Sequence, residues 1–226
     1  SRTIERILKP GDAFLDIGAN IGYHTLLGSR LVGPAGRVIA IEASPRIFDV
    51  LARHLAENGA ANVDPINVAV SDRAGTLTLY DGGAFNLGSA TTLPSRGLPA
   101  IGTVQALPLD QILSPADRSR IRLIKMDVEG AEPQILRQIL ADLGSFPRDM
   151  DLIVEVSPRD DRPEWEDIFH RMFACGFTAH AIENDYTSLW YLKWREPSPF
   201  VRITELPGDT ADILFTRGAP PDITTP

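Results

Sequence analysis

The sequence predicts an α/β domain: an open, doubly wound, mostly parallel sheet with helices on both faces. Apolar runs of strand length alternate with stretches of helical apolar spacing along the chain, the pattern that βαβ units leave. Four of these runs end in or near an acid (Asp16, Glu42, Asp127 and Glu155), so the carboxyl ends of the strands share one chemistry. Ligands of such sheets bind in the crevice beyond those ends. After the first acid, the segment Gly18-Ala19-Asn20-Ile21-Gly22 supplies a tight turn into a helix, whose unpaired N–H groups can hold a polar ligand.

Each element can be argued in turn. Residues 14–17 read as a buried strand and 23–32 as the helix after the turn, broken by Gly33-Pro34-Ala35-Gly36. A second strand covers 37–42. Ser44-Pro45 then opens a helix with an N-cap residue and a first-turn proline, and Asn58-Gly59 ends it. A third strand is expected over 63–70, and residues 75–80 alternate as a half-exposed strand does. Residues 81–103 are rich in Gly, Ser, Ala and Thr and read as one long loop, a candidate lid or substrate loop. Strands follow over 122–127, 151–156, 178–183 and 212–216, with helices over 131–143 and 163–174. Residues 184–210, which hold Trp190, Tyr191 and Trp194, form an aromatic-rich insertion before the last strand. The whole of 1–226 is read as a single domain.

Composition narrows the function. The net charge is −8 and lysines and arginines do not cluster, which argues against nucleic acid as an obligatory partner. No apolar run approaches the roughly 18–20 residues that a membrane span needs. Residues 1–10 are charged and lack a secretory apolar core, so the cytoplasm is the expected compartment. A single cysteine, Cys175, excludes an intrachain disulfide and is expected as a buried thiol at a helix end.

The glycine turn discriminates between ligands. A dinucleotide fingerprint requires G-x-G-x-x-G, but the second and third positions here are Asn20 and Tyr23. The carboxylate of Asp16 would repel a pyrophosphate and favour an ammonium or a sulfonium. The turn therefore suits S-adenosylmethionine better than NAD. Glu42, 20 residues beyond Gly22, is placed to accept hydrogen bonds from ribose hydroxyls or else to cap the helix after it. Ala43 and Val70 are small apolar candidates for the walls of an adenine slot, with Ser71 or Asp72 near the exocyclic amine.

Ile124-Lys125-Met126-Asp127-Val128-Glu129-Gly130-Ala131-Glu132 is the second strong segment. Asp127 and Glu129 flank a strand-to-helix turn, where two carboxylates can divide the work of facing a sulfonium and taking a proton. They could also hold a divalent cation such as magnesium, or simply favour the helix N-terminus. Glu155 is the third candidate carboxylate. His24 reads as packing at the helix start, and the other histidines lack metal-ligand spacing. Lys125 is left outside the expected site.

Taken together, residues 14–22, Ile41-Glu42-Ala43-Ser44-Pro45, Ala69-Val70-Ser71-Asp72 and residues 124–132 resemble the FkbM family of S-adenosylmethionine-dependent methyltransferases over roughly residues 10–180. The resemblance implies a class I methyltransferase (Rossmann-like) fold, with a reversed final strand typical of such sheets. It implies methyl transfer to oxygen on a sugar, glycan or small natural product. On that basis Asp16, Gly18, Asn20 and Gly22 surround the methionine part, Glu42 holds the ribose, and Asp127 and Glu129 sit at the transfer site. Transfer to nitrogen, or a binding module without turnover, are the alternatives. No motif identifies the acceptor or an oligomeric state.

Overall fold

The computed structural model describes residues 2–80, 91–92, 97–159, 161–183 and 200–222. Helix α1 (Arg2–Ile7) leads into strand β1 (Ala13–Ile17), helix α2 (Tyr23–Val32), strand β2 (Arg37–Ile41), helix α3 (Pro45–Glu57) and strand β3 (Val63–Ile66). Strands β4 (Ala69–Val70), β5 (Gly75–Tyr80) and β6 (Ala100–Leu107) come next, then the short helices α4 (Leu109–Ile112) and α5 (Pro115–Arg118). The second half continues through β7 (Ile121–Met126), α6 (Glu132–Ala141), β8 (Asp151–Val156), α7 (Arg162–Ala174) and β9 (Thr178–Ile182). It ends with β10 (Val201–Ile203) and β11 (Ala211–Thr216).

The main sheet has eight strands in the order β10-β9-β11-β8-β7-β1-β2-β3. The five strands from β8 to β3 are parallel, whereas β11 runs antiparallel to both β8 and β9. This is the class I methyltransferase fold, with the reversed last strand. Chain order turns back between β1 and β7, so the crevice opens at the carboxyl ends of these two strands.

Strand alternation divides the core into two layers. Leu15, Ile17, Ile39, Ile124, Met126 and Val154 face Ile135 and Leu136 of α6 and Ile168 and Phe169 of α7. The intervening residues Phe14, Val38, Leu123, Ile153 and Leu214 pack against Ile4 and Ile7 of α1 and Val32 of α2. Burying each such side chain contributes about 1.5–3 kcal/mol, so both layers are substantial. Helix α1 was not anticipated from the sequence. It is short, and its contact with the second layer holds Ile4 and Ile7 out of solvent.

Several expectations are corrected. The single third strand over 63–70 is two strands in different sheets, because Asn67 interrupts the ladder: its Nδ2 donates to the carbonyls of Glu42 (2.8 Å) and Ala43 (3.1 Å). Pro65, which has no N–H, is tolerated because β3 is an edge strand. Residues 100–103 belong not to a loop but to β6, which pairs antiparallel with β5 in a second sheet ordered β4-β6-β5. The buried alternate residues Val104 and Ala106 hold it there. Residues 81–90 and 93–96 of the proposed lid lie outside the described residues, as do Trp190, Tyr191 and Trp194. Cys175 is exposed, since α7 turns Phe169 and Met172 inward while Cys175 caps its C-terminus on the outside.

Gly28 sets how closely α2 lies on the sheet. A Cβ at this position would fall 2.4 Å from Cδ1 of Phe14, a ring with no exposure and no room to move. Gly28→Ala would gain about 1 kcal/mol of helix propensity but incur about 1–3 kcal/mol of overpacking. A net loss of stability, read as a lower midpoint in urea unfolding, is the expected outcome; a midpoint at or above the parent's would contradict this packing.

Candidate functional site

The turn after β1 is shaped by backbone contacts. The amides of Gly18 and Ala19 both donate to the Ile41 carbonyl at 2.9 Å, which ties the turn to the end of β2. Gly18 has a φ of +78°, and a Cβ there would lie 1.8 Å from the Asp127 carbonyl oxygen. Glycine is therefore obligatory where the turn meets the end of β7. Asn20 also takes the left-handed region at φ 51°, an inexpensive choice for asparagine, and its Oδ1 accepts from the Ile21 amide at 2.8 Å.

Glu42 is buried and both its oxygens are engaged. Oε2 accepts from the Asn20 amide at 2.9 Å and Oε1 from the Ser44 amide at 2.8 Å. Each oxygen retains a second lone-pair site for a ligand hydroxyl. Burial raises the carboxyl above its ordinary value, with the two backbone bonds pulling the other way.

At the far side, the segment from Asp127 to Gly130 is pinned by Glu132. Its Oε1 accepts from the Val128 amide (2.8 Å) and its Oε2 from the Gly130 amide (2.9 Å). Between them Glu129 is forced to φ 58°, a strained conformation for a non-glycine residue that costs of order 1–3 kcal/mol. Thr91 Oγ1 donates to the Glu129 carbonyl at 2.9 Å and helps to hold it. Burial pushes the Glu132 carboxyl up to about 7.

These parts enclose a cavity of about 410 Å³. Gly18, Asn20, Glu42, Ala43, Val70, Asp127, Glu129 and Glu155 all line it. The strand order sets Glu42, after β2, on one side and Glu155, in β8, on the other, with Gly18 against the Asp127 carbonyl between them. Asp16, Gly22 and Ser71 do not line it. Asp16 is wholly buried, accepting from Thr25 Oγ1 at 2.7 Å, and Ser71 Oγ reaches Asp72 at 3.4 Å. Burial raises the Asp16 carboxyl, opposed first by the Lys125 ammonium. Among the described residues no group of three or more His, Cys, Asp or Glu side chains could hold a metal ion, Asp127 and Glu129 included.

Lys125, left outside the expected site, lines the cavity, as do Asp212, Thr3, Ile4 and His24. Parallel pairing places Lys125 beside Asp16, and its Nζ lies 3.3 Å from Asp127 Oδ2. The i, i+2 spacing of Lys125 and Asp127 was the available signal. Burial alone would lower the ammonium, but Asp127 and Asp16 outweigh it and hold its pKa above the ordinary value. His24 is pushed down to about 3 by burial and by Lys125, so its ring is neutral. Glu155 is pushed up to about 8 by burial and then by the charges of Asp127, Glu129, Asp212 and Glu132.

The profile of the methyltransferase FkbM domain matches residues 16–179. The chain belongs to the FkbM methyltransferase family. As an FkbM protein it is an S-adenosylmethionine-dependent methyltransferase. It is 29% identical to methyltransferase sdnD of Sordaria araneosa, over 70% of this chain and 71% of that one. It is 24% identical to the hexuronic acid methyltransferase AglP of Haloferax volcanii, over 56% of this chain and 49% of that one. The crystal structure of methyltransferase FkbM from Methylobacillus flagellatus superposes with a TM-score of 0.51 at 16% identity, over 91% of this chain and 43% of that chain. No helix among the described residues of this FkbM chain is long and apolar enough to cross a membrane.

The raised Glu155 has a consequence for stability. A carboxyl that binds its proton more tightly in the folded state (about 8) than in the unfolded chain costs stability as pH rises between the two values. Glu155→Gln is therefore expected to raise the thermal midpoint of the ligand-free chain at pH 9 and to leave it nearly unchanged at pH 4. An equal effect at both values would mean that Glu155 is not held protonated by its surroundings.

Proposed function

We propose that this chain methylates a hydroxyl of a carbohydrate or a similar polyol, with Glu155 taking the acceptor proton. The observation that carries the reading is the division of one cavity. Its β2 side, at Glu42, suits a ribose, and toward β8 it is lined by Asp127, Glu129 and Glu155. The relation to the hexuronic acid methyltransferase AglP supports a sugar as acceptor class.

The residues present fit S-adenosylmethionine. The cradle at Gly18, which a Cβ would fill, leaves the turn close enough to β7 for one ligand to span both. Glu42 would hold the ribose hydroxyls, Ala43 and Val70 the adenine, and Gly18 and Asn20 the methionine part. Asp16 and Gly22 act behind them by shaping the turn, and Ser71 closes the adenine end. Bound there, the cofactor supplies a methyl group already activated by positive sulfur.

What the protein must add is alignment and proton removal. Holding the acceptor oxygen in line is worth about 7–11 kcal/mol, and a positioned base typically about 10²- to 10⁴-fold. A general base works best when its pKa lies near the working pH, and a carboxyl at about 8 meets that condition better than an ordinary one. The acceptor O–H gives its proton to Glu155 while the oxygen forms its bond to the methyl carbon, and sulfur leaves with its electron pair. Asp127 faces the reacting centre beside Lys125, and Glu129 orients the acceptor.

Calorimetric titration with S-adenosylmethionine and S-adenosylhomocysteine, with NAD as control, tests the cofactor site. Micromolar binding of the first two and its loss in Glu42→Ala are expected; binding of NAD instead would overturn the assignment. The base is tested by rate. With a hydroxyl acceptor, kcat should rise with pH through about 8 as Glu155 loses its proton, and Glu155→Gln should lower the rate by about 10²-fold or more and abolish that rise. A rate that falls over the same range would assign Glu155 as a donor rather than a base.

A further inference from the structure

Lys125 is 8% exposed, yet its side chain forms part of the cavity wall. An ammonium carries three N–H donors. Among the described residues, the one hydrogen bond it makes goes to Asp127 Oδ2, at a long 3.3 Å. Asp16, its neighbour across β1, does not use the rest: Oδ2 is taken by Thr25, and Oδ1 accepts from no described group. A buried cation with hydrogen-bonding capacity to spare, facing a cavity, is a group that a ligand must complete.

The surroundings define the ligand's chemistry. Every other charged side chain lining the described cavity is an acid: Glu42, Asp127, Glu129, Glu155 and Asp212. A carboxylate brought into this cavity finds its one cationic partner among the described lining residues at Lys125. That partner sits two residues before Asp127, whose carbonyl packs against Gly18, and so lies toward the turn after β1. Glu155 and Asp212, by contrast, face each other in register across β8 and β11.

We propose that Lys125 receives the carboxylate of the cofactor's methionine portion and so fixes the sulfonium beside Asp127. The proposal rests on the S-adenosylmethionine reading given above. The same chemistry, a carboxylate, would also be offered by a uronic acid acceptor, and the experiment separates the two. Decarboxylated S-adenosylmethionine differs from the cofactor by the carboxylate alone, so the ratio of the two affinities reports the contact directly.

Calorimetry on the full chain should show S-adenosylmethionine binding roughly 10- to 100-fold more tightly than its decarboxylated form. In Lys125→Met that ratio should collapse to within about threefold, with the decarboxylated ligand still bound, and Lys125→Arg should restore part of it. Lys125→Gln, which keeps a donor on a similar stem, carries the same test if the methionine variant does not fold. A ratio near one in the parent chain, or an undiminished ratio in the variants, overturns the proposal. An undiminished ratio together with loss of glucuronate binding in the presence of S-adenosylhomocysteine would overturn it in favour of the acceptor. Failure of the parent chain to bind any adenosyl ligand would instead remove the cofactor reading on which the proposal stands.

Discussion

The turn after β1 can exist only because residue 18 has no side chain. The Asp127 carbonyl occupies the place that a Cβ would take, at 1.8 Å, and the Asp127 amide in turn donates to the Ile17 carbonyl at 3.1 Å. The Gly18 and Ala19 amides bond back to Ile41, so the ends of β2, β1 and β7 are tied at one level. Everything in the cavity is dimensioned from that knot. Glu42 follows Ile41 by one residue and reaches the turn through the Asn20 amide, while Asp127 begins the opposite wall.

The same site concentrates charge that the fold must tolerate. Carboxyls buried near one another are costly when ionised, and Glu132 and Glu155 respond by retaining protons near neutral pH. The two are not equivalent. Both oxygens of Glu132 are committed to amides of the turn it follows, so its perturbed pKa accompanies a structural duty. The Glu155 side chain makes no hydrogen bond among the described residues and borders the cavity, which leaves it open to an external proton. A raised pKa thus marks a reactive group only when geometry leaves that group something to react with.

Much of this was legible in the sequence. The βα alternation, the glycine turn and the acids at strand ends sufficed for the fold class, because each depends on local spacing. Val63 to Val70 misled because, although Asp64, Pro65 and Asn67 interrupt its apolar residues, nothing local marks the Asn67 side chain leaving for the Glu42 carbonyl. Strand β6 was hidden among glycines and prolines, since its partner β5 lies across a long connection and supplies the pairing that local propensity does not. Lys125 was set aside for want of register: the pairing of β1 with β7 puts it beside Asp16, and that of β7 with β8 puts it on the same face as Glu155. Asp16 presents the opposite case, since its position at a strand end was evident but its burial behind the cavity wall was not.

Reversal of the last strand completes the argument. Because β11 runs against β8, its first residues rather than its last lie at the carboxyl ends of the parallel strands, with Ala211 paired to Val156 and Asp212 to Glu155. A parallel final strand would have brought Thr216 to that level and left Asp212 at the opposite edge of the sheet. The antiparallel pairing sets two carboxyls directly across from one another, where like charges are destabilising. The Asp212 charge is among the causes that raise Glu155, so the topology of the sheet contributes to the proton affinity of one side chain in the cavity. In this fold the direction of one strand is therefore a chemical variable as well as a topological one.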